Sequence, residues 1–186
     1  MRTDSLKVGI AVTTPYMRQL EATAAAAASL YDLARERFIL GIGSGGSAAR
    51  SLGMRHGKLA DLREYATALR TLFRVGAVEY KQRRIEFHPP RSIPIYMAAQ
   101  GPKSIELAGE VADGVIMQVG LNRKTVAWGL ECLRKGAEKA GRDFNEIFLA
   151  MSVHCCALQD REKALSKARH LMAAYHLSSR HILKIA

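Results

Sequence analysis

The sequence predicts an α/β fold: a partial (β/α)8 TIM barrel of about five βα units. Short β-branched runs alternate with longer helical runs along all 186 residues, the rhythm of βαβ units around a parallel sheet. The last strand-like run, 147–157, puts Leu149, Met151, Val153 and Cys155 on one face and Ala150, Ser152, His154 and Cys156 on a more polar one. A strand of an open doubly wound sheet is apolar on both faces, whereas a barrel strand near its C-terminal mouth points polar groups inward. A closed barrel needs eight units and about 250 residues, so one domain over 1–186 is expected, a fragment or a shortened chain. Its unpaired sheet edges call for a partner copy, hence a homo-oligomer.

Taken in order, Leu6–Val12 is a β-branched first strand ending at Thr13-Thr14-Pro15. Tyr16–Ala34 reads as a helix whose alanines at 22 and 24–28 give high propensity and a smooth face that a sheet can approach closely. Phe38–Gly43 is the second strand, stopped by Ser44-Gly45-Gly46. A helix over Leu59–Arg74 carries Leu59, Leu62, Leu69, Leu72 and Phe73 on one stripe. Val78, Tyr80, Ile85 and Phe87 alternate around a basic turn, which suggests a small exposed hairpin. Ile93–Ala99 is the third sheet strand, and Gly101-Pro102 opens a helix to Val111. Gly114–Val119 is the fourth strand, with a helix over Lys124–Ala140 after it. A fifth strand over Ile147–Ala157 and a helix over Asp160–Tyr175 complete the pattern.

Composition excludes several classes of function. Hydrophobic residues make up 48 % and charged residues 24 %, which is globular and not disordered. No apolar stretch reaches the roughly 18 residues of a membrane span, and the first residues lead into a strand rather than a signal-peptide core. Three cysteines, two of them adjacent and none in a C-x-x-C pair, argue against a disulfide framework or structural zinc and fit a reducing cytoplasm. Six scattered histidines show no metal-ligand spacing, so no metal is expected. The formal charge of +11 would suit nucleic acid, but aromatic residues are only 6 % and no recognition motif accompanies the charge. The basic surface is read instead as solvated and attractive to small anions.

Ligands of parallel α/β proteins gather where the strands end. At Ala99-Gln100-Gly101-Pro102-Lys103 the backbone can approach a ligand, and the helix starting there turns N–H groups toward the strand ends. That is either a backbone phosphate cradle, with Lys103 adding charge, or an ordinary strand-to-helix turn. Gly41-Ile42-Gly43-Ser44-Gly45-Gly46 lacks the spacing of a dinucleotide fingerprint. It leaves room for a flat ring or a neighbouring backbone, or is a flexible turn. Gly9 within the β-branched run marks a candidate bulge, and Asp113-Gly114 reads as a structural turn. His154 is expected inside the barrel as a satisfied side chain, and Cys155-Cys156 as packing.

In order and spacing, the blocks Gly9–Arg18 (GIAVTTPYMR), Arg37–Gly45 (RFILGIGSG), Ile93–Pro102 (IPIYMAAQGP) and Ala108–Gly114 (AGEVADG) resemble the luciferase-like superfamily, most closely its methylenetetrahydromethanopterin reductase type. The resemblance implies a (β/α)8 barrel holding the deazaflavin coenzyme F420, or alternatively FMN, at its C-terminal mouth. It spans the family's third to seventh strands, so the domain is expected to be incomplete at both ends. Carried over by position, Ala11 and Val12 match the family's cis-peptide bulge behind the flavin ring, and Gly43, Ser44 and Gly45 the loop beside the cofactor's side chain. Ala99, Gln100, Gly101 and Pro102 match the phosphate loop, and Gln118 and Val119 the next strand tip. Catalytic residues are not assigned: an acidic residue common after the Gly-rich tip is replaced by Gly46. The expected function is hydride transfer between that cofactor and a small organic substrate. The alternative is a non-catalytic barrel remnant that only oligomerises or binds cofactor weakly.

Overall fold

The computed structural model describes residues 3–53, 57–88, 91–176, 182 and 184–185. Five strands, β1 (Val8–Thr13), β2 (Phe38–Ile42), β5 (Ile95–Ala99), β6 (Gly114–Met117) and β7 (Phe148–Met151), form one parallel sheet in that order. A separate antiparallel hairpin joins β3 (Ala77–Tyr80) to β4 (Arg83–Glu86). The helices are α1 (Leu20–Leu33), α2 (Gly46–Ser51), α3 (Leu59–Val75), α4 (Pro102–Val111), α5 (Arg123–Lys139) and α6 (Arg161–His176). The sheet stays open among the described residues, since β1 pairs only with β2 and β7 only with β6.

One face of the sheet is the core. Phe38, Leu40 and Ile42 of β2, Ile95, Met97 and Ala99 of β5, and Val115 and Met117 of β6 are buried there. α1 contributes Ala24, Ala27 and Ala28, all buried, so the alanine run lets this helix lie close, as its smoothness implies. The stripe on α3 buries Leu62, Leu69, Leu72 and Phe73 between α1 and α4. α4 and α5 cross at backbone contact: a Cβ built on Gly136 would lie 1.9 Å from the carbonyl oxygen of Glu106. Gly136→Ala is therefore expected to cost about 2 kcal/mol or more by forcing the two helices apart. Thermal unfolding of the variant measures it.

Glu110, with its side chain only 8 % exposed, ties three helices together through Arg63 of α3 and Lys139 of α5, the latter at 3.0 Å. The hydrogen bond from Arg63, with that from Lys139, holds its carboxyl below the usual glutamate range. A depressed carboxyl contributes stability above its unfolded pKa and loses it as pH falls through the folded value. The stability gap between the wild type and Glu110→Gln should thus stay constant from pH 7 to about 5 and close below about pH 4. Urea unfolding across that range measures it.

Several expectations are corrected. The last strand ends at Met151, not Ala157, because β7 has a neighbour on one side only and the chain then leaves the sheet. His154 is accordingly exposed rather than inside a barrel, and Cys155 is exposed and Cys156 half-buried rather than packed. A short helix, α2, follows the glycine-rich tip where only a stop is expected; Gly45, at φ +71°, makes the turn into it. The hairpin forms where expected, although Phe87 lies just past its second strand, and Lys81 and Gln82 are both at positive φ in its two-residue turn. It is not wholly exposed, for Ile85 is buried and Tyr80 meets Tyr65 edge to face.

Candidate active site at the strand ends

The other face of the sheet, which would line the interior of a closed barrel, is the candidate site. Near the N-terminal end of the strands, Tyr96 stacks on Phe148 with ring centroids 5.4 Å apart and closes the floor. Above it the register sets Ala98 beside Ile116 and Ile116 beside Ala150. One step further, Gln118 donates from Nε2 to Ser152 Oγ at 3.0 Å, so two polar side chains at neighbouring strand tips orient each other.

At β1 the ladder is irregular. Ile10 pairs with Leu40 and Thr13 with Ile42, so Ala11 and Val12 together oppose the single residue Gly41. The peptide bond between Ala11 and Val12 is cis, where the resemblance implies one. A Cβ on Gly41 would lie 2.0 Å from the Ile10 carbonyl oxygen, so only glycine fits opposite the bulge. The bulge lies two residues beyond Gly9, the position that the β-branched pattern singles out.

Gly43 has a different neighbour. A Cβ there would meet Val12 Cγ2 at 2.9 Å and Ala98 Cβ at 3.6 Å, so a missing side chain leaves a flat floor between these residues. Beside this floor is a cavity of about 540 Å³, lined by Ile10, Ala11, Val12, Thr13, Thr14, Met17, Arg18, Gly45, Ala98, Ile116, Gln118 and Ser152. Its size falls within the range of small-molecule sites, and so does its character, apolar walls with a few polar groups at the rim. Among the described residues, Arg18 is its only charged lining residue.

Of the residues singled out from the sequence, Ala11, Val12, Gly45 and Gln118 line this cavity and Gly43 adjoins it. Ser44 is half-buried between the two glycines. Val119 does not join them: it is 1 % exposed and packs toward Gly129 of α5, since adjacent strand residues face opposite ways. Ala99 is likewise buried on the helix side. In the turn that follows, the N–H groups of Gln100 and Gly101 both donate to Ser104 Oγ, at 3.3 and 3.1 Å. Ser104 thus takes two donors that a bare cradle would offer to an anion, which leaves Lys103, in the first turn of α4, to provide the others. Ile10, Thr13, Thr14, Met17, Arg18, Ala98, Ile116 and Ser152 also line it without being singled out by the sequence; the strand alternation that puts Ala98 and Ile116 on the same face as Gln118 is the signal for two of them.

An open parallel sheet whose strands alternate with helices, with a cavity at its C-terminal edge and a bulge at β1, has the architecture of part of a (β/α) barrel. The chain belongs to the luciferase-like monooxygenase family, whose model matches residues 1–184. It is 35 % identical over 176 residues to a 5,10-methylenetetrahydromethanopterin reductase of Methanolobus tindarius, covering 90 % of this chain and 53 % of the relative. An F420-dependent glucose-6-phosphate dehydrogenase of Nakamurella multipartita is 31 % identical, with 90 % and 54 % covered. Among solved structures, the coenzyme F420-dependent tetrahydromethanopterin reductase of Methanopyrus kandleri superposes with a TM-score of 0.77 at 26 % identity, over 91 % of this chain and 56 % of that one. The chain spans about half the length of the curated relatives it matches. Among the described residues, no helix is long and apolar enough to cross a membrane.

Proposed function

We propose that this chain forms the cofactor-holding part of a deazaflavin-dependent oxidoreductase acting on a small organic substrate. The observation that carries the reading is the floor formed by Val12, Gly43 and Ala98, a flat space that a Cβ at position 43 would fill. The names of the relatives, several of them F420-dependent, favour F420 over FMN. When bound, the deazaflavin supplies the hydride chemistry, accepting a hydride from the substrate or giving one to it. Ala11 and Val12 back the ring over the floor that Gly43 leaves flat, Gly43, Ser44 and Gly45 leave space where its side chain departs, and Ile10, Ile116 and Met17 keep water from its edges. Gln118, fixed by its bond to Ser152, presents an amide to the ring's polar rim. The start of α4 receives the phosphate at Lys103, beside the Gln100-Gly101-Pro102 turn whose first two N–H groups Ser104 holds.

A fluorescence titration tests this reading. F420 emission should be quenched to saturation in the micromolar range, with FMN binding more weakly. No change with either, well above micromolar concentration, contradicts it.

A second reading, a barrel that assembles without turning anything over, is favoured by the open face, where Phe148 is 55 % and Val12 37 % exposed. Sedimentation combined with a turnover assay separates the two, because the second predicts assembly and bound cofactor with no reduction.

A further inference from the structure

The loop between β1 and α1, residues 14–19, walls the cavity over the sheet with Thr14, Met17 and Arg18. It is fastened at two points. At its start Thr14 is buried against the turn at Gly45, where an added Cβ would come within 2.7 Å of Thr14 Oγ1. Two residues on, Tyr16 turns its side chain to the start of α3 instead. Its hydroxyl donates to Asp61 Oδ2 at 2.9 Å, with the Lys58 carbonyl oxygen also in reach at 3.2 Å. The ring covers Gly57 so closely that a Cβ there would lie 1.7 Å from Tyr16 Cε2. Burial, reinforced by the bond to Asp61, pushes the Tyr16 phenol up to about 12, so it stays a protonated donor. A hydrogen bond to a carboxylate is stronger than one between neutral groups.

The stretch that follows Tyr16 has little of its own to keep it in place. Met17 is 53 % exposed, Arg18 is exposed, and the Met17 N–H meets the Thr14 carbonyl at a long 3.3 Å. We propose that Tyr16 is a positioning residue: its hydroxyl, held by Asp61, keeps the β1–α1 loop in the arrangement that makes Met17 and Arg18 a wall of the cavity. That the wall faces F420 rests on the function proposed above. With the tie in place the loop is ordered before a ligand arrives. With the tie cut, the loop is ordered only on binding, and affinity falls by the fraction of time it spends in the competent arrangement. A tenfold loss corresponds to a loop that is competent about one tenth of the time.

Four variants separate the tie from its surroundings. Tyr16→Phe removes the donor and keeps the ring on Gly57, Asp61→Ala removes the acceptor, and Gly57→Ala displaces the ring without touching either group. Asp61→Asn keeps an acceptor oxygen but loses the charge that favours the first turn of α3. In the unliganded protein, amide solvent exchange at Met17, measured by NMR, should speed up about tenfold in the first three and stay within about twofold in Asp61→Asn. The Gly43 N–H, bonded to the Thr13 carbonyl at 2.9 Å, should exchange as in the wild type in all four, which shows that the sheet edge is intact. F420 affinity, read by fluorescence titration, should fall about tenfold in the same three variants. Tyr16→Phe/Asp61→Ala should bind no more weakly than either single variant, because the two groups act through one bond. Equal exchange at Met17 in the wild type and Tyr16→Phe overturns the proposal. So does an Asp61→Asn variant that behaves as Asp61→Ala, additive losses in the double variant, or a loosened loop with F420 affinity unchanged. A wild type that binds no F420 counts against the cofactor reading alone, and the exchange measurements still decide the role of Tyr16.

Discussion

Gly43→Leu is expected to lower F420 affinity about a hundredfold or more while the protein stays folded. A hundredfold is about 2.7 kcal/mol, which a leucine side chain set on the floor costs by excluding a ring from the space between Val12 and Ala98. The fold tolerates the change because the first atom added meets a methyl group of Val12, a residue 37 % exposed and able to give way. The bond from the Gly43 N–H to the Thr13 carbonyl, 2.9 Å, needs no side chain and survives. Gly43→Ala should show a smaller loss, about tenfold. Gly41→Ala, two residues away, makes the opposite case: its Cβ strikes the Ile10 backbone, so the β1–β2 pairing fails before binding is in question. Fluorescence titration and thermal unfolding of the three variants separate exclusion of the ring from loss of the fold.

Gly101→Asp is expected to abolish the phosphate's share of binding, again about a hundredfold, and at the same time to leave the chain slightly more stable. Gly101 precedes the first residue of α4, and its backbone, at φ −90° and ψ 161°, suits any residue. Aspartate there is a favoured cap that accepts an N–H of the first turn, so the helix gains a few tenths of a kcal/mol over glycine. The same carboxylate opposes any anion held beside Lys103, and like charges a few ångströms apart at a half-exposed site cost several kcal/mol. A variant that melts higher yet binds F420 as tightly as the wild type would move the phosphate away from this turn. FMN affinity should fall in parallel, since both cofactors carry a phosphate.

Much of this arrangement was legible in the residues. The alanine run of α1, the leucine stripe of α3, the Gly101-Pro102 start of α4 and the β-branched runs of β2 and β5 each state their element through period and propensity. The alternation past Met151 misled, because period says nothing about whether a neighbouring strand exists to keep the chain extended. α2 begins on a glycine, the weakest helix signal short of proline, and its start depends on the turn at Gly45. Pairs such as Gln118 and Val119 show the limit of reading a strand tip as a unit. Both match the family's pattern, but the pleat sends only Gln118 to the cavity. Ala11 and Val12 escape that rule because the bulge turns both toward the site, something their own sequence does not encode. Arg18 and Ser152 became part of the site through packing: a loop brought to the sheet's edge and a polar residue one step past the last paired position.

Where the ring sits is the claim on which the rest depends, and an amide NMR titration of the labelled chain with F420 addresses it most directly. Saturable shifts should concentrate at Val12, Thr13, Gly43, Gly45 and Gln118 across the cavity, with Lys103 moving as the phosphate arrives and Gly136 on the helix side unmoved. Saturable binding whose shifts avoid the β1, β2 and β6 tips, or an unchanged spectrum at concentrations far above micromolar, contradicts the account.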